Sequence, residues 1–162
     1  MESEKLFLRQ TSDILRAAYD CSGLFCQNSV FLIHSKQGDL KVLLAILNSS
    51  LMRFVYQYRN PQKGKVFAEI KPSVVKGLPI PDALSRTHAG TSKRITKAIG
   101  AYVDQILSLH TKLAATKPGH AQTVLQRQID ATDRQIDQLV YQLYGLTDAE
   151  IALVEESSPL RP

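Results

Sequence analysis

Only two cysteines, Cys21 and Cys26, occur in the 162 residues. They are too few to frame a fold with disulfides, and the chain is expected in a reducing compartment, the cytoplasm. No apolar run reaches the roughly 18 residues that a bilayer crossing needs, and the longest candidate, Val42 to Leu47, falls far short. The opening Met-Glu-Ser-Glu-Lys lacks the basic start and apolar stretch of a secretory signal. The eight glycines form neither a G-x-G-x-x-G nor a P-loop pattern, so no phosphate-cradling loop is predicted and no cofactor is expected. A nucleophile elbow and an H-E-x-x-H are missing too, which removes two common hydrolase chemistries.

What is present is ordinary for a folded domain. With 44% hydrophobic and 22% charged residues, the chain can bury a useful core without metal or disulfide support. Its length suits one domain, or a small domain with a helical appendage. The net charge of +5 is unevenly placed: residues 1–80 hold eleven Lys/Arg against six Asp/Glu, whereas residues 81–162 hold nine of each. Between Arg53 and Lys76, six cations (Arg53, Arg59, Lys63, Lys65, Lys71, Lys76) face only Glu69. A localised positive field of this kind points to a polyanion, in this setting a nucleic acid. A merely solvated basic surface would give the same count.

The chain divides near Pro79-Ile80-Pro81. Upstream, Lys5 to Arg9 and Ser29 to Ile33 are short and rich in β-branched and aromatic residues, so they read as strands. Residues 14–19 suit a helix as well as a strand, and the Gly23 region is a turn. Asp39 is placed to cap a helix running to Leu47, and Asn48-Ser49-Ser50 punctuates it and caps a second one reaching about Arg59. In that second helix Leu51, Phe54, Val55 and Tyr58 fall at i, i+3, i+4 and i+7 and predict the apolar face. Arg53, Tyr56, Gln57 and Asn60 fall opposite, a set suited to phosphates and base edges. A loop from Asn60 to Lys65, a strand from Val66 to Ile70 and an extended exit from Val74 to Pro81 complete this part.

After a polar linker at 82–91 the period becomes helical. Ile95, Ile99, Tyr102, Val103, Ile106, Leu109 and Leu113 make one stripe, and Pro118-Gly119 ends it. Leu125, Ile129, Ile136, Leu139, Val140 and Leu143 make a second, with Gly145 as its C-cap and Thr147 to Glu150 as a capping box for a short last helix. Two long helices with a tight turn should pack antiparallel. The expected fold is therefore α+β: a small mixed α/β domain (1–81), a linker (82–91), and a long helical hairpin plus short helix (92–156).

Three other groupings carry weaker chemistry. Cys21, Cys26 and His34 supply three ligands without the fourth member and paired spacing of a zinc site, and buried thiols beside a strand are the expectation. Asp39 with Glu69-Ile70-Lys71 resembles the carboxylate–lysine set of metal-dependent nucleases, although Asp39 also reads as a helix cap. His34, His88, His110 and His120 are scattered, and no metal is expected.

Five segments in order resemble the C-terminal specificity domain of TaqI-like DNA methyltransferases and single-chain restriction-methylation enzymes. They are NSVFLI at 28–33, LLAILNS at 43–49, FAEI at 67–70, LPIP at 78–81 and IDQLVYQLYGLT at 136–147. The LPIP exit followed by long helices also resembles half of a type I restriction specificity subunit. The resemblance implies a target-recognition module that meets duplex DNA in the major groove, where all four base pairs show distinct patterns. It implies as partner a separate catalytic domain or subunit that carries the cofactor site and catalytic motif. Neither is here: no Asn-Pro-Pro-Tyr or Asp-Pro-Pro-Tyr, which hold a flipped base, occurs in the sequence. The chain is accordingly expected to be non-catalytic by itself, as an excised domain or a standalone specificity piece. Position and composition nominate Arg53, Arg59, Lys63, Lys65, Lys71 and Lys76 for phosphates and Gln57, Tyr56 and Asn28 for base edges. Two alternatives stand beside this: a magnesium-dependent nuclease using Glu69 and Lys71, and a protein-interaction module whose hairpin (92–144) docks a partner subunit or a second copy.

Overall fold

The computed structural model of the chain describes residues 4–26, 29–35, 39–60, 68–81 and 90–157. Three short strands, β1 (Lys5–Arg9), β2 (Ala17–Asp20) and β3 (Val30–Ile33), precede the helices. These are α1 (Leu40–Asn48), α2 (Ser50–Arg59), α3 (Pro72–Lys76), α4 (Thr91–Ala115), α5 (His120–Tyr144) and α6 (Asp148–Ser157). The architecture is α+β, a small antiparallel sheet followed by long helices, as the sequence predicted.

β1 is the central strand, antiparallel to β2 on one side and β3 on the other. Its period of two turns Leu6 and Leu8 inward, where both are fully buried, with Tyr19, Phe31 and Ile33 packed against the same core. The residues 14–19 that sequence left undecided resolve into coil and strand. Local preference for helix loses to pairing, because Ala17–Asp20 completes one edge of the sheet. That edge is covered at Ala17 by the side chain of Asn48, which accepts the Ala17 N–H at 2.8 Å and donates to its carbonyl at 2.9 Å.

The predicted caps form. Asp39 accepts from the amides of Lys41 and Val42 at 2.9 and 3.3 Å, and Ser49 accepts from Met52 at 3.1 Å. Gly145 takes the left-handed conformation (φ 67°) that closes α5, and Thr147 and Glu150 exchange hydrogen bonds at the start of α6. The first turn of α2 has a second, distant partner. Asp137 of α5 accepts from the Ser50 amide at 2.9 Å and from the Ser50 hydroxyl at 2.7 Å. Asp137→Ala is expected to cost about 1–2 kcal/mol, a fall in Tm of roughly 2–8 °C by calorimetry, since it frees a first-turn amide and removes a charge from the helix N-terminus.

One buried cluster runs through the molecule. Leu6, Leu8, Val42, Ile46, Met52 and Tyr56 share it with Ile99 and Val103 of α4, Ile136, Val140 and Tyr141 of α5, and Val154 of α6. Farther along the hairpin, Leu109 and Ile129 are buried where α4 pairs with α5, outside that cluster. Lys41 of α1 and Asp104 of α4 form an ion pair at 2.6 Å near the start of the shared region.

Four expectations need correction. Val74 to Lys76 are helical, not extended: Pro72 occupies the first turn of α3, and Pro79 and Pro81 restrict only the residues just before them. Of the strand expected at 66–70, the described residues show an isolated bridge between Glu69 and Thr11. Both thiols are exposed and free rather than buried. The buried side of α2 is Leu51, Met52 and Tyr56, with Phe54 and Val55 half-buried and Tyr58 82% exposed. The helix packs against α1, α5 and α6, so its seam follows Met52 and Tyr56 at i, i+4. The phenol tolerates burial because Asn60 donates to its oxygen at 2.9 Å.

Candidate nucleic-acid interface

The sheet face turned away from the core carries Lys5, Phe7 and Arg9 on β1, Ala18 and Asp20 on β2, and Leu32 directly across from Phe7 on β3. Lys5 is buried and paired to Asp20 at 3.3 Å, with its ammonium 5.6 Å from the Phe7 ring and 5.8 Å from that of Phe25. Asp20 also holds the following turn, accepting from Ser22 and Leu24. These bonds, first the Ser22 hydroxyl, pull its carboxyl down to about 2. Because the folded value lies below the unfolded one, the stabilisation is complete above the ordinary carboxyl value of 3.8 and is lost as pH falls toward about 2. The stability gap between wild type and Asp20→Asn is therefore expected to narrow from about pH 4 downward in an acid-unfolding series.

At the C-terminal end of β1 the backbone draws several chain segments together. The Arg9 amide donates to Arg16 O at 3.1 Å, Gln10 N to Ser29 O at 3.0 Å, and Ile70 N to Gln10 O at 2.8 Å. Arg9 and Arg16 are exposed, and among the described residues neither enters an ion pair. Lys71 follows Ile70 directly and opens α3, which ends at Lys76 and Gly77. There the Arg59 guanidinium of α2 donates to Gly77 O. α3 thus links Arg9, Arg16 and Lys71 at one end to Lys76 and Arg59 at the other, over roughly one and a half helical turns. Within this strip Glu69 is engaged by Gln10, whose amide reaches it at 3.2 Å.

The nominated residues distribute unevenly over this surface. Arg59, Lys71 and Lys76 are exposed in the strip, while Arg53 and Gln57 are half-buried on α2. Tyr56 is fully buried and has no surface to offer a base. Asn28, Lys63 and Lys65 lie outside the described residues, as does His88. Arg9 and Arg16 were missed because charge was counted in runs; the alternation in Lys5-Leu6-Phe7-Leu8-Arg9 already placed Arg9 on the face opposite the buried leucines. For the nuclease alternative, the Asp39 carboxylate is occupied by two amides of α1. Among the described residues no group of three or more His, Cys, Asp or Glu is arranged to hold a metal ion.

This strip lies within a segment of known type. The family of TaqI-like C-terminal specificity domains matches residues 1–80. Those residues belong to that family. Comparison with curated proteins and with solved structures gave no match. The TaqI-like specificity domain has a DNA-recognition role in restriction-modification systems, and domains of this kind are generally non-catalytic. The segment that matches is the one holding the net charge of +5. Among the described residues no helix is long and apolar enough to cross a membrane.

Proposed function

We propose that this chain recognises a specific duplex DNA sequence and positions a separate methyltransferase or restriction catalytic domain on it, acting in the cytoplasm without a cofactor of its own. The observation that carries the reading is that Arg16, Arg9, Lys71, Lys76 and Arg59 are all exposed, on segments joined by hydrogen bonds around α3, inside the specificity-domain match. Lys71 and Lys76 mark the two ends of α3, with Arg9 and Arg16 joined to the first end and Arg59 to the second, and these cations can neutralise phosphates and fix register. Gln57, half-buried on α2, and Asn28 are the proposed base-edge readers, with Lys63 and Lys65 adding phosphate contacts. Residues 1–81 form the recognition part, 82–91 the link, and 92–156 the helical part that docks the catalytic partner or a second copy.

The test is a mobility shift of the whole chain on a random duplex pool at about 50 and 200 mM salt, followed by sequencing of the bound fraction. An enriched motif, with binding that weakens steeply at the higher salt, is the expected result. Binding without a motif would leave the strip as a nonspecific anchor and overturn the sequence-reading part. No binding at either salt would overturn the reading as a whole.

A further inference from the structure

The helical half is electrically neutral only as a sum. Residues 105–129, the tip of the α4–α5 hairpin, hold Lys112, Lys117 and Arg127 and no Asp or Glu. Residues 130–157 hold seven carboxylates against Arg134 alone, a net charge of −6. The tip is therefore +3, while the opposite end, counting the C-terminal half of α5, α6 and residues 90–104 with Lys93, Arg94, Lys97 and Asp104 of α4, is −4. Lys112, Lys117 and Arg127 are exposed and, among the described residues, none makes an ion pair, as are His110 and His120 beside them. The nearest carboxylates are already engaged: Asp104 by Lys41 at 2.6 Å and Asp130 by Gln126 at 2.9 Å.

The fold also sets the distance between this tip and the recognition strip. Tyr144, at the end of α5, donates its hydroxyl to Pro79 O at 2.7 Å, two residues from the Gly77 carbonyl that holds Arg59. From Tyr144 back to His120 the helix rises about 36 Å at 1.5 Å per residue. That length is close to one turn of B-DNA, about 34–36 Å.

We infer that the hairpin tip is a second DNA contact, in which Lys112, Lys117 and Arg127 meet phosphates about one helical turn from the site read by the strip. This rests on the DNA-recognition reading above. The contact carries no sequence information; it adds counterion release and fixes the direction in which the hairpin lies along the duplex. The carboxylates of α6, including Glu155 and Glu156, repel the same phosphates and oppose the reversed placement.

The experiment compares the full chain with Lys112→Gln/Lys117→Gln/Arg127→Gln on duplexes of about 12 and about 36 base pairs carrying the selected site, by fluorescence anisotropy from about 50 to 200 mM salt. The substituted side chains are solvent-exposed, and an unchanged thermal melt verifies the fold. On the long duplex the triple variant is expected to flatten the log–log salt slope by about 2.7, three contacts at 0.9 each, while the short duplex shows no change. An unchanged slope on the long duplex, with wild type bound, overturns the inference and leaves the recognition reading standing. The same holds if the variant instead loses affinity for an acidic protein partner. Wild type that binds neither duplex overturns both.

Discussion

Replacing Arg9, Arg16, Lys71 and Lys76 together by glutamine is expected to flatten the salt dependence of duplex binding by about 3.6 in log–log slope. Four phosphate contacts at 0.9 each account for a fall in wild-type affinity of roughly 150-fold between 50 and 200 mM salt, and the variant lacks that share. Glutamine keeps a polar side chain of similar reach, so the measurement isolates charge. All four side chains are exposed, and the melting temperature should stay within a degree or two of wild type. Arg59 is left out deliberately, because its bond to Gly77 O also ties α2 to the exit segment and its loss would mix stability with binding. The matching control removes Lys93, Arg94 and Lys97 at the exposed start of α4, which lowers net charge without touching the strip. If strip and control variants shift the slope alike, the DNA follows overall charge and not this surface.

Tyr56→Ala is expected to cost about 3–5 kcal/mol, on the order of 10 °C in Tm, because the ring is fully buried in the shared core and no neighbour can fill its volume. Tyr56→Phe keeps the ring and loses only the bond from Asn60, about 0.5–1.5 kcal/mol. The pair separates two roles for one residue. A core residue gives a large stability loss with alanine, a small one with phenylalanine, and no change in the enriched DNA motif with phenylalanine. An altered motif in a Tyr56→Phe protein of normal Tm would return Tyr56 to the DNA surface and refute its placement in the core.

Tyr56 also shows where sequence reading stops. Caps and turns were legible because each depends on a few neighbouring residues: Asp39, Ser49, Gly145 and the Thr147–Glu150 box sit where their local chemistry put them. The two hairpin stripes were legible because one dominant partner face imposes one period. The apolar face of α2 was not legible because the helix packs against several elements, and its seam is set by α1, α5 and α6 together. Met52 and Tyr56 lie on the side of the helix that faces those elements, and Tyr58 does not. The candidate site was half legible for a similar reason. The run from Arg53 to Lys76 is visible as composition, whereas Arg9 and Arg16 join it only through backbone bonds between segments far apart in sequence. The charge separation along the hairpin was hidden by a sum of zero.

The family match ends at residue 80, yet Ser50 inside it is capped by Asp137 beyond it, and the core of the first half is shared with Ile99, Val140 and Tyr141. For protein engineering this sets the size of the portable piece. A graft that transfers only the matched residues to another enzyme leaves α2 without its distant carboxylate and turns a buried apolar surface toward water. A graft that carries the hairpin along keeps both, so the smallest exchangeable unit of this fold runs from β1 to the end of α6.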